Sequence, residues 1–171
     1  MKQVHAVNTY YHQVYLVFFR PYNQEDNMLK ALQKNNITGI EQTKSSLLKY
    51  AQDGLQKLDA MKPFEGDHSL IDACRKMLDF YALEAGEKMK TISDYYLTKE
   101  RFDAIKKEYD RKGSPSKEDV DAYNKTVKEI NAASEVFNST SQELNKQRNA
   151  ALSEWNKSVN SFFDEHTPRY R

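Results

Sequence analysis

The sequence predicts an all-α protein, an up-down-up-down antiparallel four-helix bundle whose third and fourth helices are longer and project as a helical hairpin. Three observations lead to this prediction. The 171-residue chain has only five glycines and four prolines, few for the many tight turns of a β-sandwich. Charged residues make up 30% of it, and Ala, Leu, Lys, Gln and Glu recur throughout, as in long helices. Apolar residues return every third or fourth position in four separate stretches.

The first stretch contains VYLVFF, residues 14–19, the most apolar run of the chain. Its β-branched and aromatic residues would suit a buried strand, but the neighbouring residues continue a helical spacing. The run is far shorter than the ~18 residues that a membrane-spanning helix needs. Pro21 removes one backbone donor, so we expect a bend near residues 18–22 unless the helix restarts there. The helical spacing runs through Val4, Val7, Tyr11, Val14, Phe18, Met28 and Leu32.

The second and third stretches follow polar loops. Thr38 is the predicted N-cap of the second helix, and Pro63 ends it. Asp67 is the predicted N-cap of a long third helix, which Gly113 ends. The apolar positions in the second helix are Ile40, Leu47, Tyr50 or Ala51, Leu55, Leu58 and Met61. Those in the third are Leu70 or Ile71, Cys74, Leu78, Tyr81, Ala85, Met89, Ile92, Tyr96, Phe102, Ile105 and Tyr109.

The fourth stretch begins at a predicted capping box, in which the Ser116 and Asp119 side chains each accept a hydrogen bond from the other's backbone N–H. A seven-residue repeat follows, and Pro168 ends it, so residues 169–171 form a predicted loose tail. The repeat places Val120, Val127, Ser134, Ser141, Arg148, Trp155 and Phe162 in one row, and Tyr123, Ile130, Phe137, Leu144 and Ala151 in the other.

Short connections leave successive helices antiparallel, so their register can be counted from the turns. Level with Asn36, the count predicts about residue 92 on the third helix and about residue 136 on the fourth. The last two helices then continue for ~20 residues, or ~30 Å, as a hairpin. The prediction is a single domain, 1–171, with a four-helix part over about 3–92 and 136–166 and a hairpin extension over about 93–135. A break near Thr98 that folds the tip back is the alternative.

Composition and motifs favour a protein that is not an enzyme. The net charge of +1 gives no field that would attract nucleic acid. Gly-rich phosphate loops, G-x-S-x-G and H-E-x-x-H are absent, and the one Glu-x-x-His spacing, Glu65 to His68, lies in a loop, whereas a di-metal bundle needs two on helices. The single cysteine, Cys74, falls on a core stripe and is predicted to be a buried thiol rather than a nucleophile. We therefore predict no catalytic residue, no metal site and no cofactor.

Two charged residues fall on core faces, Glu25 in the first helix and Arg148 in the fourth. The predicted register places them within about one turn of each other. Removing one member of a buried ion pair costs roughly 3 to 5 kcal/mol, so we predict that they pair. An inward arginine can also hold an anion, and Ser141 beside it would leave room for a small cavity lined by all three residues.

Aromatic residues mark two candidate partner surfaces. Tyr11, Tyr15 and Trp155 lie near one end of the predicted bundle, and Tyr109 and Tyr123 lie near the hairpin tip. Most aromatic residues in such a protein belong to the core, but the eleven tyrosines bring hydroxyls that need water or partners. Tyrosine-rich surfaces are typical of interfaces, which makes these five residues the candidate partner surface.

Three segments resemble a family of bacterial surface proteins, often lipoproteins, whose biochemical function is unknown and whose fold is a helical bundle. They are LQKLDAMKPFEGDHSLIDACRKMLDFY (55–81), the ending WNKSVNSFFDEHTPRY and the opening AVNTYYHQVYL. The resemblance is spread over most of the chain. It implies a cell-envelope location, periplasmic or at the surface, with an export signal and a lipid-bearing cysteine encoded upstream of Met1.

These observations together predict a non-enzymatic exported cell-envelope protein that binds an unknown protein or envelope component through its surface. The first alternative is a small-ligand carrier or enzyme that uses a polar core cavity lined by Glu25, Ser141 and Arg148. The second alternative is a cytoplasmic scaffold that oligomerises through the hairpin. The mature chain is predicted to contain no transmembrane segment.

Overall fold

The computed structural model describes residues 2–168, so that Met1 and the predicted loose tail, 169–171, lie outside the described residues. Within them the chain forms helices α1 (Lys2–Gln33), α2 (Ile37–Ala60), α3 (Ser69–Leu83), α4 (Met89–Arg111) and α5 (Lys117–His166). A π turn, Glu84–Lys88, joins α3 to α4, so these two helices form one continuous rod. Residues 2–168 contain no strand, and the prediction of an all-α protein is confirmed.

The VYLVFF run lies in the middle of α1, where its residues alternate between core and surface at helical spacing. Val14 and Phe18 are buried, whereas Leu16 is 63% exposed. Pro21 is buried inside α1 and does not interrupt it. A proline in a helix interior costs ~3 kcal/mol, and the packing of α1 against α2, α3 and α5 offsets this cost.

Two of the three predicted caps differ in detail from the structure. The N-cap of α2 is Asn36, whose Oδ1 accepts a hydrogen bond from the Gly39 backbone N–H at 3.0 Å, so the prediction of Thr38 is wrong. The chain turns earlier because Asn35 adopts a left-handed conformation with φ 51°. Asp67 precedes the N-cap position of α3, although its Oδ1 accepts the Ser69 N–H at 2.7 Å.

The capping box at the start of α5 is confirmed. Ser116 Oγ accepts the Asp119 N–H at 3.2 Å, and Asp119 Oδ2 accepts the Ser116 N–H at 3.0 Å.

Side-chain contacts define how neighbouring helices pack. Between α1 and α2 the Arg20 guanidinium lies over the Tyr50 ring. Gly54 on α2 permits close approach of α3, because a Cβ there would lie 2.8 Å from Leu78 Cδ1. The rod of α3 and α4 pairs with α5 through Lys76 with Glu154, Lys88 with Glu143 and Arg101 with Glu129. The core between the helices contains Val7, Val14, Phe18, Met28, Ile40, Leu47, Ala51, Leu58, Leu70, Met77, Leu78, Tyr81, Met89, Leu144, Trp155 and Phe162.

The register of the third rod differs from the predicted count. Asn36 shares a surface cleft with Tyr96 and Lys99, not with residue 92. The loop 61–68 connects α2 to α3. Within that loop the Phe64 ring lies 5.3 Å from Tyr10 and 5.5 Å from Phe162, measured between ring centroids.

The last part of α4 and the first part of α5 pair with each other, and we call residues 101–129 the distal hairpin. The Tyr109 and Tyr123 rings stack there with centroids 4.5 Å apart. Helix α4 is continuous through Thr98, so the alternative break at that position is wrong. The third rod and α5 are both longer than α1 and α2, as the sequence predicts.

Candidate functional site

A buried cluster of three charged side chains joins α1, the π turn and α5. The Arg148 guanidinium donates from Nε to Glu25 Oε1 at 2.5 Å and from Nη2 to Glu84 Oε1 at 2.5 Å. Its Nη1 donates to Asn145 Oδ1 at 2.6 Å. Glu25 is 3% exposed and Glu84 is 1% exposed. Glu25 and Arg148 thus lie together as the register predicts, but with a second carboxylate that sequence analysis missed.

The local sequence explains where each of these side chains lies. Glu25 follows Phe18 by seven positions, and Arg148 precedes Trp155 by seven, so each lies on the buried row of its helix. Glu84 is the first residue of the π turn, a feature that is frequent at functional sites. The Arg148 guanidinium also lies over the Phe80 ring, 5.5 Å from its centroid. The sequence gives one indication that Glu84 is buried: it follows the core residue Tyr81 by three positions.

Burial dominates the acid–base chemistry of the cluster. Burial and the nearby Glu25 carboxylate raise the pKa of Glu84 and the Arg148 guanidinium opposes the change, so that the pKa is about 8. Among residues 2–168, no donor lies within hydrogen-bonding distance of Glu84 Oε2. The Glu25 carboxylate is an acceptor close by, so a protonated Glu84 can donate to it. Burial in the cluster therefore favours the protonated form of the Glu84 carboxyl.

A cleft of about 290 Å³ adjoins the cluster. Glu84 and Arg148 are the charged residues that line it, and Ser141, Gln33 and Asn145 add polar atoms. Its other lining residues are apolar or aromatic: Leu29, Leu32, Met89, Ile92, Tyr96, Phe137 and Leu144. The cleft thus combines a largely apolar lining with two charged residues of the buried cluster.

The predicted aromatic surface at the bundle end is only partly present. Tyr11 and Tyr15 are partly buried, and the Tyr11 ring packs edge-on against Phe163 at 5.0 Å. Trp155 is 4% exposed and stacks on Phe18 at 4.6 Å, so its inclusion in a partner surface is wrong. The seven-residue row places Trp155 on the face of α5 that packs against the core. The exposed apolar side chains of this region are instead Leu16, Phe19 and Tyr22.

At the distal hairpin, Tyr109 and Tyr123 are both partly buried and stack on each other. Phe102 and Ile105 on α4 and Val127 on α5 are also partly buried. The seam between the two helices therefore keeps apolar surface accessible along its sides.

A third group of polar residues lies at the opposite end of the molecule. One potential ligand atom from each of Asp67, Glu165 and His166 lies within 4.8 Å of the others. His166 Nε2 lies 2.9 Å from Asp67 Oδ2, and the Glu65 carboxylate lies 3.8 Å from Nδ1. The direct His166–Asp67 contact connects the end of α5 to the loop before α3. Sequence analysis assigned Asp67 only a capping role and singled out neither Glu165 nor His166.

Cys74 is buried, as predicted, with its Sγ 4.0 Å from the Val14 carbonyl oxygen. Burial raises the pKa of the thiol to about 12, which disfavours the nucleophilic thiolate.

The geometry described above is the main evidence for function, because comparisons with known proteins give no match. No family model matches the chain, and no curated protein and no solved structure match it either. The resemblance to bacterial surface proteins therefore stays a prediction. As for the membrane, no helix within residues 2–168 combines the length and the apolar character that crossing it requires.

Proposed function

We propose that this chain is a non-enzymatic, exported cell-envelope protein that binds a protein partner through the distal hairpin. In this proposal the chain is one domain, an up-down-up-down four-helix bundle, and the distal hairpin projects from it. The contacts between successive helices and the greater length of the third rod and α5 support this arrangement.

The observation that supports partner binding is the open seam of the distal hairpin. Its aromatic side chains, Phe102, Tyr109 and Tyr123, are only partly buried although they pack against each other. Two helices alone bury a narrow apolar stripe, and a third helix laid along the seam would bury the remainder. Tyrosine is also enriched at interfaces, because its ring contributes contact area and its hydroxyl stays hydrogen-bonded.

The envelope location rests on the three segments that resemble bacterial surface proteins. A lipid anchor, if the full gene encodes one, would attach upstream of Met1. Fractionation of cells that express the native gene tests this part. Recovery of the protein in the cytoplasm would contradict it and would favour the cytoplasmic oligomeric scaffold.

Site-specific photo-cross-linking tests the surface. A photoreactive phenylalanine analogue is introduced at the exposed positions Lys107 and Ala122 of the distal hairpin, and at the exposed Gln52 of α2 as the control. We expect a heterologous cross-link from the first two positions but not from Gln52. The paired change Tyr109→Ser and Tyr123→Ser should remove it. Cross-links of equal yield from all three positions would refute the proposal, and a product of two identical chains would favour the scaffold.

A second candidate function, a small-ligand carrier, is favoured by the cleft beside Arg148. Glu84 borders this cleft as a buried acid whose second oxygen lacks a hydrogen-bond donor among the described residues. A fully packed interior would give no such opening next to the ion cluster.

A further inference from the structure

We propose that the cleft beside Arg148 binds a small amphipathic amine, with its ammonium group against Glu84 and its apolar body between α1, α4 and α5. This inference rests on the second function proposed above, the small-ligand carrier, and it names the chemical class of the ligand.

Charge in the buried cluster favours a cation. Two carboxylates, Glu25 and Glu84, face one guanidinium, Arg148. The groups that face Glu84 are Glu25 from α1, Arg148 from α5 and the Tyr81 hydroxyl from α3. When both carboxylates are ionised, the cluster therefore has an excess negative charge, which a buried site tolerates only when it is balanced.

The hydrogen-bonding groups agree with this distribution of charge. Glu84 Oε2 and Tyr81 Oη are buried, and neither oxygen accepts a hydrogen bond from any residue between 2 and 168. Glu84 is 1% exposed and borders the cleft. An ammonium group has three N–H donors and one positive charge, and Glu84 Oε2 can accept a hydrogen bond from it. Such charge-assisted hydrogen bonds are among the stronger ones that proteins make.

An anionic ligand fits the site less well. Arg148 already donates to Glu25, Glu84 and Asn145. A carboxylate that entered the cleft would lie beside Glu84 and find Arg148, the cation that lines the cleft, already paired. The excess of acidic groups therefore selects against anions.

The remainder of the cleft defines the body of the ligand. Leu29, Leu32 and Ile92 supply aliphatic surface, and Phe137 and Tyr96 supply aromatic faces. A volume of about 290 Å³ is at the lower end of the range for small-molecule sites. A ligand with one ring or a short alkyl chain is the size that this space accepts.

Binding should release a proton. The ammonium takes the place of the proton on Glu84: the protonated amine and the protonated form of Glu84 give the ion-paired complex and one released proton. Affinity should therefore rise as the pH increases from 6 to 8. Above pH 8 this gain should level off, because Glu84 is then already ionised in the free protein.

The test uses the full chain and three probes with similar bodies: 2-phenylethylamine, 2-phenylethanol and 3-phenylpropanoate. Isothermal titration calorimetry at pH 8, with NMR of the methyl groups of Ile92 and Leu144, should show saturable binding of the amine. The alcohol and the carboxylate should bind at least about tenfold more weakly, since each lacks the charge-assisted contact. Titrations in buffers of different ionisation enthalpy should report proton release at pH 7.

Glu84→Gln retains the shape of the side chain without its charge and should weaken amine binding at least about tenfold. Glu143→Gln is the matched control, because that carboxylate pairs with Lys88 outside the cleft lining, and it should leave amine binding unchanged. Circular dichroism verifies that both variants are folded, and the NMR shifts of wild-type protein give a result that needs no variant.

The outcomes separate the inference from the function on which it rests. If 2-phenylethanol or 3-phenylpropanoate binds at the cleft as tightly as the amine, the carrier function stands and the amine inference is overturned. If none of the three probes shifts the Ile92 and Leu144 methyl signals, both fail.

Discussion

The ionisation of Glu84 should make the protein less stable as the pH rises. The carboxyl has a pKa of about 8 in the folded chain and an ordinary value of 4.5. Between these two values the folded chain keeps a proton that the unfolded chain has released. Its contribution to the free energy of unfolding is therefore fully present below pH 4.5 and is lost as the pH rises to 8.

The size of this effect follows from the two pKa values. Each pKa unit corresponds to about 1.4 kcal/mol, so a rise from 4.5 to about 8 corresponds to a loss on the order of 5 kcal/mol over the whole titration. Solvent screens little of it, because Glu84 is 1% exposed. Glu84→Gln should remove this loss, since its amide resembles the protonated acid: it can donate to Glu25 and accept from Arg148.

Urea unfolding at pH 5, 7 and 9 measures the difference between Glu84→Gln and the wild type. Fluorescence of Trp155, the only tryptophan and a buried one, reports the core, and far-UV circular dichroism reports the helices. The free energy of unfolding of the variant relative to wild type should increase by roughly 3 to 5 kcal/mol from pH 5 to pH 9. For the control Glu143→Gln, the relative value should stay nearly constant. A Glu84→Gln difference that does not change with pH would refute the reasoning.

Three further predictions concern stability and reactivity. Arg148→Met should lower the free energy of unfolding by about 3 to 5 kcal/mol at pH 7 in urea titrations, because the buried Glu25 carboxylate loses its ion-pair partner and Glu84 loses a hydrogen-bond donor; a change below about 1 kcal/mol would contradict it. Cys74 should resist an aromatic disulfide reagent at pH 8 in the native state and react at once in urea, and fast native labelling would contradict its burial. Ser116→Ala should cost about 1 kcal/mol, measured as faster amide hydrogen exchange over 117–120, and unchanged exchange there would show that the cap contributes nothing.

The periodicity of the sequence was sufficient for the helices but not for the details at their ends. Burial of Val14 and Phe18 on one face of α1 follows directly from their spacing. The start of α2 does not follow from the spacing. Asn36 and Thr38 are both good capping residues, and only the backbone conformation of Asn35 selects between them.

The candidate site was predictable only in part, for a similar reason. Glu25 and Arg148 are charged residues on otherwise apolar rows, so the pattern itself singles them out. Glu84 enters the cluster through a π turn, and no spacing rule for regular helices indicates one. Trp155 was assigned to a surface because it is aromatic, although its row assigned it to the core, where it lies.

The π turn has a consequence for the far end of the molecule. Successive residues of an α-helix are rotated by about 100°, so the phase of everything in α4 depends on how many residues lie in Glu84–Lys88. Helix α5 has no glycine or proline over its 50 residues and offers no compensating adjustment. Deletion of one residue from this turn would rotate α4 about its axis. Tyr109 would then no longer face Tyr123, and a different face of α4 would pack against α5.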